Sequence, residues 1–169
     1  MNNLSIDQTI RFSKATLMLF MTLFGLLINY NNFADYSTNY EFLAHILSMD
    51  TTLVDPKYAF RAITSPMAHH RIYWLLITLE VLFTAFCMIG TYHLFINLNN
   101  NAKKFHEAKK FAIIGLTIMI FVYYICFQVI GIEWFNMDQS PEWNYKDWAQ
   151  YVIDFILPVL IYVAIRTER

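Results

Sequence analysis

Glycine and proline are scarce in this chain, with four of each among 169 residues. So few turn-formers argue against both a disordered chain and a loop-rich secreted fold. Charge is scarce too. Only 15% of residues are charged, where an ordinary soluble domain carries about 25%. The net charge is −1 and no long basic run occurs, so nucleic-acid binding is not expected. There are two cysteines, Cys87 and Cys126. Both fall inside apolar runs with no CxxC spacing, which argues against a disulfide framework and leaves them as small packing residues. A Gly-rich phosphate loop and an HExxH motif are both missing. A haem clamped between two spans needs a histidine on each. Only the second apolar run carries any, and His70 and His93 lie about 35 Å apart along one helix. No cofactor is expected.

What the chain has in quantity is apolar surface: 57% hydrophobic residues, with 18% aromatic. It is gathered into four runs, roughly Ala15–Tyr30, Ile72–Ile96, Phe111–Ile132 and Trp148–Ile165. A spanning helix needs about 20 residues. The second and third runs meet this outright, the first does so if Lys14 snorkels, and the fourth is the shortest and contains Asp154 and Pro158. The expected architecture is all-α: one integral membrane domain over residues 1–169, a four-helix bundle with spans near 12–31, 72–96, 110–132 and 148–166. The lipid bilayer is the first expected partner.

Basic residues set the orientation. Arg11, Lys14, Lys103, Lys104, Lys109, Lys110, Arg166 and Arg169 fall on one side of the four spans. Lys57, Arg61, Arg71 and Lys146 fall on the other, diluted among Asp35, Glu41, Asp50, Asp55, Glu133, Asp138, Glu142 and Asp147. Both termini are therefore expected in the cytoplasm. Tyr73, Trp74, Trp134, Trp143 and Trp148 form the outer aromatic belt.

The outer segment 32–71 is patterned. Thr38-Asn39-Tyr40-Glu41 has the form of a capping box, followed by Phe42, Leu43, Ile46 and Leu47 on one helical face. Asp55-Pro56 and Ser65-Pro66 are further helix starts. Two short amphipathic helices are expected on the periplasmic side, either capping the bundle, closing a cavity or docking a partner. Ser48–Thr52 (SMDTT) and Asn136–Ser140 (NMDQS) echo each other across the two outer segments.

Glu80 sits inside the second run. On a helix it shares a face with Thr84, Cys87 and Thr91. Comparable stripes are Thr22, Gly25 and Asn29 in the first run, Thr117, Tyr124 and Gln128 in the third, and Tyr151, Asp154, Pro158 and Tyr162 in the fourth. Small and hydroxyl residues suit helix contacts within a membrane, so Glu80 is expected to point inward. A buried carboxylate costs several kcal/mol unless paired or protonated. A polar cluster of Glu80, Asp154, Gln128, His69 and His70 would meet that cost, with Tyr124 and Arg71 also within reach. It would serve as a structural network, a proton, ion or ligand site, or, given His45 as well, a metal site. Adjacent histidines are not a ligand spacing, and no metal is expected.

The strings HILSMDTT (His45–Thr52), RAITSPMAHHRIYWLLITLE (Arg61–Glu80) and GIEWFNMDQSPEWN (Gly131–Asn144) resemble a bacterial family of predicted small integral membrane proteins, a domain of unknown function. The resemblance implies four spans in a bacterial cytoplasmic membrane and brings no catalytic residues with it. Its strings fall on the outer surface, where His45, Asp50, Arg61 and Trp134 are candidate interaction residues. Two functions follow as expectations. The first is an accessory or assembly subunit of a membrane complex, bound to other subunits or to copies of itself. The alternative is a small transporter or ion-coupled binder using Glu80 and Asp154. No nucleophile or metal motif favours an enzyme.

Overall fold

Ser5 starts the first helix in the computed structural model, which describes residues 5–52 and 55–166. The Ser5 hydroxyl accepts from the Gln8 backbone N–H at 3.2 Å, and the Gln8 side chain accepts from the Ser5 N–H at 3.1 Å. This reciprocal box satisfies two otherwise free donors. Helix α1 then runs from Ile6 to Ala34, about 44 Å at 1.5 Å per residue. After the single residue Asp35 the chain turns into α2, Tyr36–Ser48. A 3-10 turn covers Pro56–Arg61, and α3 covers Pro66–Ile96 with Pro66 in its first turn, as the Ser65-Pro66 signal predicts. The third rod comprises α4, Ala102–Ala108, and α5, Lys110–Ile120, which continues as a π-helix over Phe121–Trp134. A second 3-10 turn, Met137–Gln139, precedes α6, Lys146–Ala164. Four of these helices are long and apolar enough to cross a membrane: Ile6–Ala34, Pro66–Ile96, Ala102–Trp134 and Lys146–Ala164.

Small residues set how closely the rods approach. A side chain at Gly25 of α1 would collide with the Thr84 hydroxyl and meet Phe83 Cε2 at 2.9 Å. A side chain at Gly90 of α3 would run into the Ala112 backbone of α5. Helix α3 thus lies against both neighbours at nearly backbone distance, as membrane helices do where dispersion rather than water exclusion holds them. Met18, Met21, Phe83, Leu116, Met119 and Ile156 are buried in the shared core.

The polar stripes divide two against two. Thr22, Gly25 and Asn29 of α1, and Glu80, Thr84, Cys87 and Thr91 of α3, are all buried. In the third rod the inward residues are Ala112, Gly115, Leu116, Met119, Val122 and Tyr123, while Thr117 and Tyr124 are exposed. In α6, Tyr151, Asp154 and Pro158 are exposed. The fold turns most of these two polar faces outward, because apolar faces opposite them pack the core, while Gln128 and Tyr162 stay half-buried and the Tyr162 hydroxyl lies 2.7 Å from that of Ser13 on α1.

The outer segments also differ from expectation. Thr38 does not cap α2, which has already begun at Tyr36; its hydroxyl donates to Asp35 Oδ1 at 2.8 Å instead. The second expected amphipathic helix is the 3-10 turn Pro56–Arg61, with no buried residue. It is too short to present an apolar face, although Asp55 does accept from the Lys57 N–H at 3.0 Å as a cap. Leu43, Ile46 and Leu47 of α2 pack with Tyr73, Ile77, Phe135 and Met137 into a second apolar cluster at this end. At the opposite end, cations close helix C-termini. Arg11 donates to the carbonyls of Leu98, at 3.1 Å, and Asn100. Lys14 and Lys109 donate to the Ile165 carbonyl at 2.7 and 3.1 Å. Positive charge at carbonyl ends is favourable twice over, through hydrogen bonds and the helix dipole. Arg169, which entered the orientation argument, lies outside the described residues.

Candidate functional site

Glu80 is 7% exposed and faces the bundle interior. Its Oε1 accepts from the Tyr123 hydroxyl at 3.3 Å, and its Oε2 accepts from Asn32 Nδ2. The orientation of Asn32 is fixed in turn. The Tyr73 hydroxyl donates to Asn32 Oδ1 at 3.3 Å, so the amide nitrogen turns toward the carboxylate. One turn down α3, the Thr84 hydroxyl donates to the Glu80 carbonyl at 2.7 Å and accepts from Asn29 Nδ2 at 2.8 Å. Asn29 also donates to the Gly25 carbonyl at 2.8 Å. Helices α1, α3 and the π-helix are therefore joined around one residue: Asn32 and Tyr123 donate to its carboxylate, Asn29 and Thr84 donate to its carbonyl, and Tyr73 orients Asn32. Donors suit the charged form of a carboxylate.

The Glu80 carboxylate borders a cavity of about 470 Å³ between α1, α2, α3, the π-helix and the start of α6. Small-molecule sites commonly fall between about 300 and 1,000 Å³. Its polar lining comes from Asn31, Asn32, Thr38, Asn39 and Glu80, and its aromatic lining includes Phe42, Phe127, Trp143, Tyr145 and Trp148. Among the described residues, no Lys, Arg or His borders it. The rings brace one another: Phe42 and Tyr145 lie 4.4 Å apart, and Trp148 meets Tyr123 edge-on at 5.4 Å.

The remaining residues singled out from sequence lie elsewhere. Asp154 is exposed on α6 and accepts from Gln150 Nε2 at 2.7 Å. Gln128 donates to the Lys146 carbonyl at 2.7 Å, closing the start of α6 onto the π-helix. His69 is buried, its Nε2 2.6 Å from the Ile63 carbonyl. His70 stacks on Tyr40 at 4.1 Å, and its Nδ1 lies 2.9 Å from the Tyr36 hydroxyl. The expected cluster of Glu80, Asp154, Gln128, His69 and His70 is thus not assembled: of these only Glu80 borders the cavity. His45 stacks on Trp143 at 4.8 Å and lies 2.9 Å from Asp50. Arg61 lies over Tyr58 and over Trp134, and donates to the Glu133 carbonyl at 3.4 Å. His45, Arg61 and Trp134 thus tie the two outer segments together, with Asp50 pairing to His45 within its own segment, and the Thr51–Ser140 hydroxyl pair at 2.9 Å does the same where the two echoing strings meet. Among the described residues, no three His, Cys, Asp or Glu converge as metal ligands.

Sequence reasoning missed Asn32, Tyr73 and Tyr123. Asn32 follows Asn29 by three residues on the same helical face, a signal hidden by ending the first span at residue 31. Tyr123 continues the buried apolar face of Ala112, Leu116 and Met119, whereas stepping from Thr117 by the α-helical period follows the opposite face to Tyr124, and both Thr117 and Tyr124 are exposed. Over Phe121–Trp134 the rod is a π-helix, at whose end the Phe135 N–H donates to the Ile130 carbonyl, five residues back, at 3.2 Å. A π-helix of this length is unusual, and π segments concentrate at functional sites.

The model of a family described as predicted small integral membrane protein (DUF2165) matches residues 10–166. The chain belongs to this family. No curated protein and no solved structure matches it. The family assignment agrees with four apolar helices of spanning length and with lipid as their surroundings.

Proposed function

We propose that this family member is a small-molecule-binding protein of the bacterial inner membrane, with its site in the Glu80 cavity. The observation that carries the reading is a membrane-depth carboxylate bordering a hollow of ligand size, set among aromatic rings. A network meant only to fix helix register has no need of an adjoining hollow. The cavity lies at the end of the bundle away from Lys14 and Lys109. The distribution of basic residues supports assigning that end to the periplasm, with both termini in the cytoplasm. The protein would act as a receptor or carrier for ligands arriving from that side.

The test uses the tryptophans at the site. In a variant keeping only Trp143 and Trp148 (Trp74→Phe, Trp134→Phe), a brominated single-chain amphiphile should quench fluorescence saturably. Thr38→Phe projects a ring into the hollow from an exposed position and should abolish the saturable part. Quenching that rises linearly in both proteins would reject the reading.

The accessory-subunit reading rests on a separate observation. Asp147, Gln150, Asp154, Leu157 and Ile161 of α6 are all exposed. Their alternating three- and four-residue spacing is that of a helix-pairing seam. An amide and a carboxylate on a lipid-facing surface favour association with another helix, in a homo-oligomer or a larger complex. Asp154→Leu should then shift the detergent-extracted protein to a smaller assembly. An unchanged assembly size would remove the support.

A further inference from the structure

The proposed site leaves the nature of its ligand open, and the lining narrows it. A carboxylate offers about four acceptor directions. Asn32 and Tyr123 use one on each oxygen, which leaves acceptor capacity beside a cavity that no Lys, Arg or His among the described residues borders. A carboxylate with no cationic partner is costly at membrane depth even when hydrogen-bonded, and a ligand bearing positive charge would lower that cost. Phe42, Phe127, Trp143, Tyr145 and Trp148 line the same space, and aromatic rings attract cations to their faces. An anionic head would meet the Glu80 carboxylate with no cation to offset the repulsion.

A second hollow indicates what the cation is attached to. An apolar crevice of about 300 Å³ lies between α2, α3 and the π-helix. Phe42, Leu43, Leu76 and Phe127 line both hollows and form their common wall. Phe42 and Phe127 are stacked across it, with centroids 6.2 Å apart and planes 10° from parallel. The far side of the crevice is formed by Leu75, Phe121 and Ile130, which are exposed on the lipid-facing surface. A polar hollow with a carboxylate thus abuts an apolar one that reaches the acyl chains.

From this juxtaposition we propose that the cavity binds a lipophilic amine, its ammonium group against Glu80 and its hydrocarbon chain displacing the Phe42–Phe127 contact to lie in the adjoining crevice. The proposal rests on the binding reading above and adds the ligand's class. A primary ammonium brings three N–H donors to the free acceptor directions of Glu80; a trimethylammonium brings charge alone.

The experiment titrates brominated dodecylamine, its trimethylammonium analogue and brominated dodecanol into the Trp143/Trp148-only protein in zwitterionic nanodiscs, with fluorescence quenching as readout. The amine should bind at least about tenfold more tightly than the alcohol, as a charge-assisted hydrogen bond requires, with the trimethylammonium between them. Glu80→Gln should bring amine and alcohol within about twofold of each other. If Glu80→Gln cannot be recovered folded, Glu80→Asp, which keeps the charge but withdraws it by one methylene, should weaken the amine and leave the alcohol unchanged. Saturable binding of amine and alcohol with equal affinity, indifferent to Glu80, would overturn the amine assignment and keep the binding site. Absence of saturable quenching by any of the three would overturn both.

Discussion

Glu80 is held by donors from two other helices, so removing a donor should loosen the bundle as well as the site. Tyr123→Phe deletes the hydroxyl on Oε1 and should lower stability by about 0.5–1.5 kcal/mol, the usual worth of one hydrogen bond. Thermal unfolding in mild detergent measures it, and an unchanged midpoint would mean that the Tyr123 hydroxyl contributes nothing. Gly25 makes a sharper test because its space is already taken by Thr84 and Phe83. Gly25→Val should cost about 1–3 kcal/mol through overpacking, whereas a similar change at exposed Leu27 should cost little. Residue by residue, the sequence revealed the Glu80, Thr84, Cys87 and Thr91 stripe because α3 is a regular helix, so the 3.6-residue period holds along it. It did not reveal Asn32 or Tyr123, since one lies past the expected end of a span and the other lies on the apolar face of its rod, opposite the polar stripe of Thr117 and Tyr124.

Among the elements, the helix ends are the most instructive. Lys14 reads from the sequence as a cation reaching for the membrane surface. In the fold it reaches the carbonyl end of α6 beside Lys109, while Arg11 closes the end of α3. Arg11→Met should leave the Leu98 and Asn100 carbonyls without this donor. Backbone amides of residues 97–104 should then exchange with deuterium faster than in the wild type, with the centre of α3 unaffected. Uniform exchange across α3 would show that Arg11 does not act locally. The starts of elements were legible where a proline fixes them, as at Ser65-Pro66. The Thr38 box was misleading, because α1 ends at Ala34 and α2 begins after one residue, before the box can act. Asp154 reads from the sequence as inward because it shares a helical stripe with Tyr151, Pro158 and Tyr162. Helix α6 instead runs through Pro158 without ending, and its apolar residues Val152, Ile153, Ile156 and Val159 take the interior.

For the whole molecule, four spans and an all-α architecture follow from hydropathy, since an unbroken apolar run of about 20 residues matches a spanning helix, which satisfies its backbone polar groups within itself, and is too long for a barrel strand. The cavity does not follow from it. It depends on how α2 lies against α3 and on where the π-helix turns Tyr123 and Phe127, and both are tertiary outcomes. The proposed site joins the two: a carboxylate inside a helical membrane protein, beside a ligand-sized hollow, at the end proposed to face the periplasm. The most direct measurement places a cysteine at Thr38, on the cavity lining, with Cys87 and Cys126 replaced by alanine. Intact cells are treated with a membrane-impermeant maleimide, with and without dodecylamine. The account predicts labelling from outside that the amine slows while the matched alcohol does not. Labelling only after the cells are opened, or labelling indifferent to the amine, would contradict it.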